Sequence, residues 1–411
     1  MKEKSSYIVI ILLSLLIQDV WGQQIGFNLP EGKSRMTIPF ERHNNLIVIP
    51  VTINNTLKLR FILDTGVQYP ILTEKIFAEH LGLDFNRKIT IQGPGEQDSI
   101  QAHIVQNVEL SLPGGVTSGF NQAMLVLEED YLELSNNMGT PIYGIIGYDI
   151  FSRFVVEINF DENFIVLHEP KKYRARRSNK KVPLKVVNTK PYIEVQVSKT
   201  EQAYKNMHLM IDTGASHALL LDNPTDDSLL PDQNITSVIG RGIGGPINGY
   251  LGRLHDVKIG KFQFEKAIAS FPVKGDYGQS IKRGSRNGTI GGELISRFNL
   301  TFDYFQGYLY VRPNKSYHQG FEHDMSGMNI SADGTGLKQM KINDVRVNSP
   351  AYNAGLRSGD KIVTINGYDL HQIKFSNVST LLRNRPGKKI TVKFTRDGVE
   401  QKTSFKLMRY I

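Results

Sequence analysis

Cysteine is absent from the 411 residues. That excludes disulfides, thiolate zinc sites, a cysteine nucleophile and a lipidated N-terminal cysteine. Tryptophan occurs once, at Trp21. The ten histidines form no H-E-x-x-H and no close ligand pair, and G-x-S-x-G is missing, so neither a zincin nor a serine hydrolase has support. No metal and no cofactor is expected. Before residue 317 no helical pattern exceeds about three turns. What remains is ordinary for a globular chain: 40% hydrophobic and 22% charged residues, at a length that suggests several domains.

The first residues read as a targeting segment. Lys2 and Lys4 precede an apolar run of eleven residues, Tyr7 to Ile17. That run is too short to span a bilayer and suits a signal-peptide core. Val20 and Gly22 then occupy the −3 and −1 positions of a cleavage after Gly22, making 1–22 a signal peptide. The alternative is a retained N-terminal anchor. After cleavage no membrane span is expected, and the mature chain has neither Trp nor Cys. Export without cysteine points to a bacterial periplasm or cell surface rather than a eukaryotic secretory route.

The net charge of +9 is unevenly spread. Residues 171–181 (KKYRARRSNKK) carry seven basic groups and no acid, and residues 317–411 carry 15 Lys and Arg against 8 Asp and Glu, which leaves the remainder at −5. A nucleic-acid partner needs a basic face interleaved with recognition elements. Here the basic run is short and lies between strand-rich blocks, so it reads as a solvated connection rather than a polyanion or membrane contact.

The strongest organisational signal is an internal repeat. Phe61-Ile62-Leu63-Asp64-Thr65-Gly66 recurs as Leu209-Met210-Ile211-Asp212-Thr213-Gly214, 148 residues later. Ile145-Ile146-Gly147-Tyr148-Asp149-Ile150-Phe151-Ser152-Arg153-Phe154 recurs as Thr289-Ile290-Gly291-Gly292-Glu293-Leu294-Ile295-Ser296-Arg297-Phe298, 144 residues later. The halves run over 34–172 and 182–313, with 173–181 as linker. Both are mostly strand: Leu46 to Ile53 and Leu57 to Leu63 flank a turn at Asn54-Asn55. Thr73 is placed to cap a short helix, Glu74 to Leu81, closed by Gly82. The runs 154–160 and 299–304 suggest closing hairpins.

An apolar strand that delivers an Asp into a tight turn is poor core chemistry, because an ionised carboxylate is costly to bury alone. Two such turns in two related halves suggest that they meet. Carboxylates a few ångströms apart cannot both ionise cheaply, so they share a proton and can activate a water between them. A capping turn is the alternative for one copy. It does not account for two copies, each followed by an apolar-apolar-Gly strand.

On these residues the chain resembles the retropepsin-like aspartyl proteases of bacteria with two lobes in one chain. The resemblance covers about 34–313. It implies a mainly β fold, two related retropepsin-like lobes forming one pepsin-like bilobal protease, with Asp64 and Asp212 as catalytic aspartates. Thr65, Gly66, Thr213 and Gly214 match the interlocking loop residues. Where the family usually has Ala, Ser or Thr after the Gly, Ala215 conforms and Val67 departs. A flap is implied between the two motifs of each half, in Ile91 to Gly95 (Gly93, Gly95) and Ile239 to Gly245 (Gly242, Gly244). The second contains a formal G-x-G-x-x-G, but Pro246-Ile247-Asn248-Gly249-Tyr250 is no helix start, so a dinucleotide site is disfavoured. His217, close to the second loop, reads as packing or rim.

From 317 the grammar changes. Ser349 caps and Pro350 starts a short helix ended by Gly355, and a second helix is expected at Asn377 to Arg383, capped by Ser376. Arg396-Asp397-Gly398 turns a terminal hairpin. The stretch S-P-A-x-x-A-G-L-x-x-G-D-x-I-x-x-I-N-G, Ser349 to Gly367, resembles a PDZ domain, small and α+β, over 317–411. By that resemblance Ser326, Gly327, Met328, Asn329 and Ile330 form the loop and strand that take a peptide C-terminus; a domain that only packs on the protease is the alternative. The expected function is an exported, monomeric aspartic endopeptidase acting on polypeptide, and the rival is a non-catalytic peptide-binding adaptor or chaperone. No nucleic acid is expected.

Overall fold

The computed structural model describes residues 26–93, 99–201, 203–221, 229–273, 286–369 and 372–411. The expected signal peptide, 1–22, and the flap residue Gly95 lie outside the described residues. Each half forms a 10-stranded mixed sheet. One strand, Glu41–His43 or Lys185–Val187, pairs beside Leu46–Ile53 or Lys190–Ser198, and the other nine follow an order the two sheets share. In the first it runs Arg87–Ile91, Ile100–Val108, Gln122–Leu127, Ile71–Leu72, Gly144–Ile146, Leu57–Leu63, Leu46–Ile53, Leu110–Leu112, Val116–Thr117. In the second it runs Asn234–Gly242, Gly245–Arg253, Ile268–Pro272, Leu219–Leu221, Gly288–Ile290, Tyr204–Ile211, Lys190–Ser198, Asp256–Ile259, Phe262–Glu265. The Asn54-Asn55 turn adopts positive φ at both residues, 49° and 54°, a conformation Asn tolerates better than most residues.

A third sheet joins the halves. Its 6 strands run Arg35–Pro39, Phe164–His168, Val155–Asn159, Phe298–Asp303, Tyr308–Pro313, Lys180–Pro183. The two central strands belong to different halves and pair antiparallel, with Glu157 opposite Thr301. The expected hairpins are present, 155–159 with 164–168 and 298–303 with 308–313. One core runs through both halves, and Phe151 meets Phe302 edge-to-face at 5.1 Å within it.

One local expectation in the first half is corrected. Thr73 does not cap: the helix is Lys75–His80 with Glu74 at the cap position and no side-chain bond. Thr73 Oγ1 is instead buried with no hydrogen-bond partner among the described residues, while the Thr73 N–H donates to Tyr143 O at 2.9 Å. The basic linker keeps its charged residues exposed. Its last residues, Lys180 and Lys181, enter the edge strand paired with Tyr310 and Val311, and Lys181 Nζ sits 4.7 Å from the Tyr308 ring centroid. The lysine stems thus cover apolar surface while the charge stays at the rim.

The C-terminal segment builds an antiparallel 5-stranded sheet, Met328–Asp333, Gln339–Val345, Lys361–Ile365, Lys389–Arg396, Val399–Lys406, over its own core. Ser349 caps Pro350–Asn353 by accepting from the Tyr352 N–H, as expected. The second helix is Phe375–Leu382, so Ser376 lies inside it and Lys374 occupies the cap position. Asp360, the acid of the Gly-Asp pair, is buried and takes both Nε and Nη2 of Arg396 at 2.7 Å. The segment's ends reach into the second half: Phe321 and Ile411 join its core, and Arg253 donates to both of their carbonyls.

Candidate active site

Asp64 and Asp212 end equivalent strands, Leu57–Leu63 and Tyr204–Ile211. Each strand lies parallel to the short strand of the second motif. That pairing continues into the loop: Asp64 N–H donates to Ile146 O at 2.8 Å, and Asp212 N–H to Ile290 O at 2.9 Å. The glycine after each short strand permits the approach. A Cβ on Gly147 would stand 1.7 Å from Asp64 O.

The loops interlock across the halves. Thr65 N–H donates to Thr213 Oγ1 at 3.0 Å and Thr213 N–H to Thr65 Oγ1 at 3.1 Å. Each hydroxyl then donates onward, Thr65 Oγ1 to Ile211 O and Thr213 Oγ1 to Leu63 O, both at 2.7 Å. Both threonines are 1% exposed, so the four bonds hold the loops where water cannot replace them. Gly66 N–H donates to Asp64 Oδ1 at 2.6 Å and Gly214 N–H to Asp212 Oδ1 at 3.0 Å. The two carboxyls lie close together: a Cβ on Gly66 would stand 3.0 Å from Asp64 Oδ1 and 3.6 Å from Asp212 Oδ1. A Cβ on Gly214 would enter the Asp64 carboxyl, 2.3 Å from Cγ. Burial, then the neighbouring charge of Asp212, pushes the Asp64 carboxyl well above the usual carboxylate range.

Val67 keeps the loop geometry of Ala215. Val67 N–H donates to Asp64 O and Ala215 N–H to Asp212 O, each at 3.4 Å. Their carbonyls accept from Tyr148 N–H at 3.1 Å and Gly292 N–H at 2.6 Å. The side chain of Val67 packs against a buried apolar cluster that includes Leu46, Val48, Ile62 and Ile71.

Three features escape a reading of the motifs. Lys190 lies close enough to Asp64 for its charge to favour the ionised form of that carboxyl. Its pKa is lowered by burial and by Arg286. Asn45 of the first half donates to Ser216 O beside the second loop. Tyr304 buries its hydroxyl near Asp64, and burial pushes that phenol well up. Nothing local in sequence marks them, because each reaches the loops from another strand or turn. His217 Nε2 lies 3.0 Å from Thr289 Oγ1, and burial pushes its pKa down to about 4, so it packs as a neutral ring.

The flap candidates separate. Asn234–Gly242 and Gly245–Arg253 form a long hairpin with Gly242 opposite Gly245 and Gly244 in its tip. The shorter hairpin of the first half, Arg87–Ile91 with Ile100–Val108, continues into Gly93. Gly93 meets the tip of the long hairpin: a Cβ on it would stand 2.0 Å from Ile243 Cγ2.

In the C-terminal loop the expected carboxylate-binding role meets a different occupant. Ser326 N–H, Gly327 N–H and Ser326 Oγ all donate to Asp324 Oδ1, at 2.9, 2.7 and 2.7 Å. Met328 N–H donates to Ser326 Oγ at 3.1 Å. An internal carboxylate thus takes the amides that the sequence offers to a ligand's terminus. Asn329 and Ile330 lie in the edge strand beyond, paired with Asp344 and Ile342.

Among the described residues no cluster of three or more His, Cys, Asp or Glu could hold a metal ion, and no helix is long and apolar enough to cross a membrane. Residues 49–150 match the family model described as Aspartyl protease, and residues 341–396 the one described as PDZ domain. The chain carries an aspartyl protease domain and a PDZ domain. The aspartyl protease match contains the first Asp-Thr-Gly; the second half shares its strand order. Among solved structures, the crystal structure of aspartic proteinase from Irpex lacteus aligns over 69% of this chain and 99% of its own, at 11% identity and TM-score 0.45. No curated protein matches the sequence.

Proposed function

We propose that this chain is an exported aspartic endopeptidase in which Asp64 and Asp212 share a proton and activate a water against a peptide carbonyl. The observation that carries this reading is the reciprocal threonine lock, which holds two half-buried carboxyls close together from two halves of one chain. With one proton between them, the ionised carboxyl takes a proton from the attacking water while the protonated one donates to the carbonyl oxygen. The hairpins that meet at Gly93 and Ile243 are the flaps that would cover an extended polypeptide.

The test is hydrolysis of an unfolded protein by the mature chain across acidic and neutral pH. Asp64→Asn and Asp212→Asn should each lower the rate by about 10²–10⁴-fold or more, the usual worth of a general acid or base, with the fold retained. Most of the activity surviving in either variant would defeat the assignment. A chelator should leave the rate unchanged, and strong inhibition would point to a metal enzyme. Because both aspartates come from one chain, specific activity should not fall on dilution. Mixing the two variants should restore nothing.

A further inference from the structure

The PDZ domain meets the first protease lobe at the helix Leu134–Met138. Its edge strand Met328–Asp333 pairs only with Gln339–Val345, so among the described residues no strand lies on its outer edge. That edge and the helix Phe375–Leu382 are the two walls between which an extended peptide adds as a strand. The inner end of this groove is closed by the loop, where Met325 N–H donates to Leu382 O at 3.1 Å. The outer end lies between Ala332 and Phe375.

The helix Leu134–Met138 of the protease sits at that outer end. Asn136 Nδ2 donates to Ala332 O at 3.0 Å, taking an acceptor on the strand that a peptide would pair with. Gly139 ends the helix at φ 62°, close enough to Phe375 that a Cβ there would stand 2.3 Å from the Phe375 Cβ. The residues immediately before this helix, Tyr131 and Glu133, grip the long hairpin of the other lobe. Arg241 Nε donates to Tyr131 O at 3.2 Å, and Arg241 Nη2 pairs with Glu133 Oε1 at 2.9 Å.

We propose that Leu134 to Gly139 is the PDZ domain's ligand in cis, and that it ties the groove to the hairpin 234–253. An extended peptide adding to Met328–Asp333 must displace this segment, and the displacement loosens the grip of Tyr131 and Glu133 on Arg241. Linkage makes the coupling reciprocal: whatever holds the hairpin down strengthens the cis contact and weakens peptide binding. The cleft this would control is the one assigned above, so the consequence for catalysis rests on that reading; the coupling itself does not.

Hydrogen exchange on the full chain tests it without any need for activity. Asn136→Ala removes the bond to Ala332, and Gly139→Ala forces the helix off Phe375. Each should speed exchange in Met328–Asp333 and in 234–253 together, by about fivefold for the weight of one hydrogen bond. Val155–Asn159 in the shared sheet should not change. Faster exchange in the edge strand with an unaltered hairpin, in both variants, would overturn the coupling. No change in the edge strand in either would overturn the cis ligand. Acceleration of Val155–Asn159 along with the rest in both variants would also overturn it, because the segment would then be a structural prop.

Discussion

The two protease lobes share a strand order and differ in what surrounds it. Every bond made by the first Asp-Thr-Gly loop has its counterpart in the second, down to the 3.4 Å contact behind each aspartate. Outside the loops the equivalence lapses. Val67 and Tyr148 face Ala215 and Gly292 at matching positions, and the second hairpin is longer than the first and held by the first lobe. The symmetric part is the part that must present two equal carboxyls. The asymmetric part decides what reaches them.

If the loops are equivalent, Thr65→Val and Thr213→Val should be equally damaging. Each removes an acceptor and a donor from a buried lock and leaves a backbone N–H unpaired, at about 1–3 kcal/mol for that group alone. Chemical unfolding of both variants checks this; a large inequality would show that one lobe carries the other.

The next effect separates catalysis from stability. Asp64 binds its proton more tightly folded than unfolded. Its contribution is complete below the ordinary carboxyl value of 3.8 and is lost as pH rises through the raised one. Asp64→Asn abolishes that loss, so the variant should melt higher than the wild type near neutral pH, with the gap closing toward pH 3. A gap independent of pH would mean that the carboxyl is not strained.

Smaller still is the effect of Lys190, whose charge lowers the Asp64 pKa. Lys190→Met should move the alkaline limb of the activity profile upward, and a downward shift would contradict the placement of that charge. Val67→Ala should be the mildest. It deletes two half-buried methyls, at about 1 kcal/mol or less for the partial burial, and leaves the backbone bonds in place. Activity should stay within about twofold, and a large loss would show that Val67 packing positions Asp64.

Much of this was legible because the repeat is written in side chains that the fold requires. An Asp at the end of an apolar strand and a Gly in the turn are local necessities, so both loops and both hairpins could be read directly. The Ser349 cap and the Asp397-Gly398 turn were local too. Thr73 misled because a Thr before a helix reads as a cap, whereas here tertiary burial claims it. Lys190, Asn136 and Arg241 were invisible for the opposite reason: each acts on a partner far away in sequence, and no periodicity encodes which strand will arrive opposite. The loop at Ser326 was legible as a shape, while its occupant, Asp324, was hidden in plain view two residues upstream.

The sheet that joins the halves also governs how the chain is made. Val155–Asn159 finds its cross-lobe neighbour in Phe298–Asp303, far later in the chain. Until those residues emerge, a nascent first lobe presents an open β edge of Val, Val and Ile at the heart of its future core. Such an edge recruits other strands, and closing it demands a long loop, which slows folding. The first lobe therefore cannot finish as a unit during synthesis. The shared sheet is thus completed only once residues 298–303 have been made.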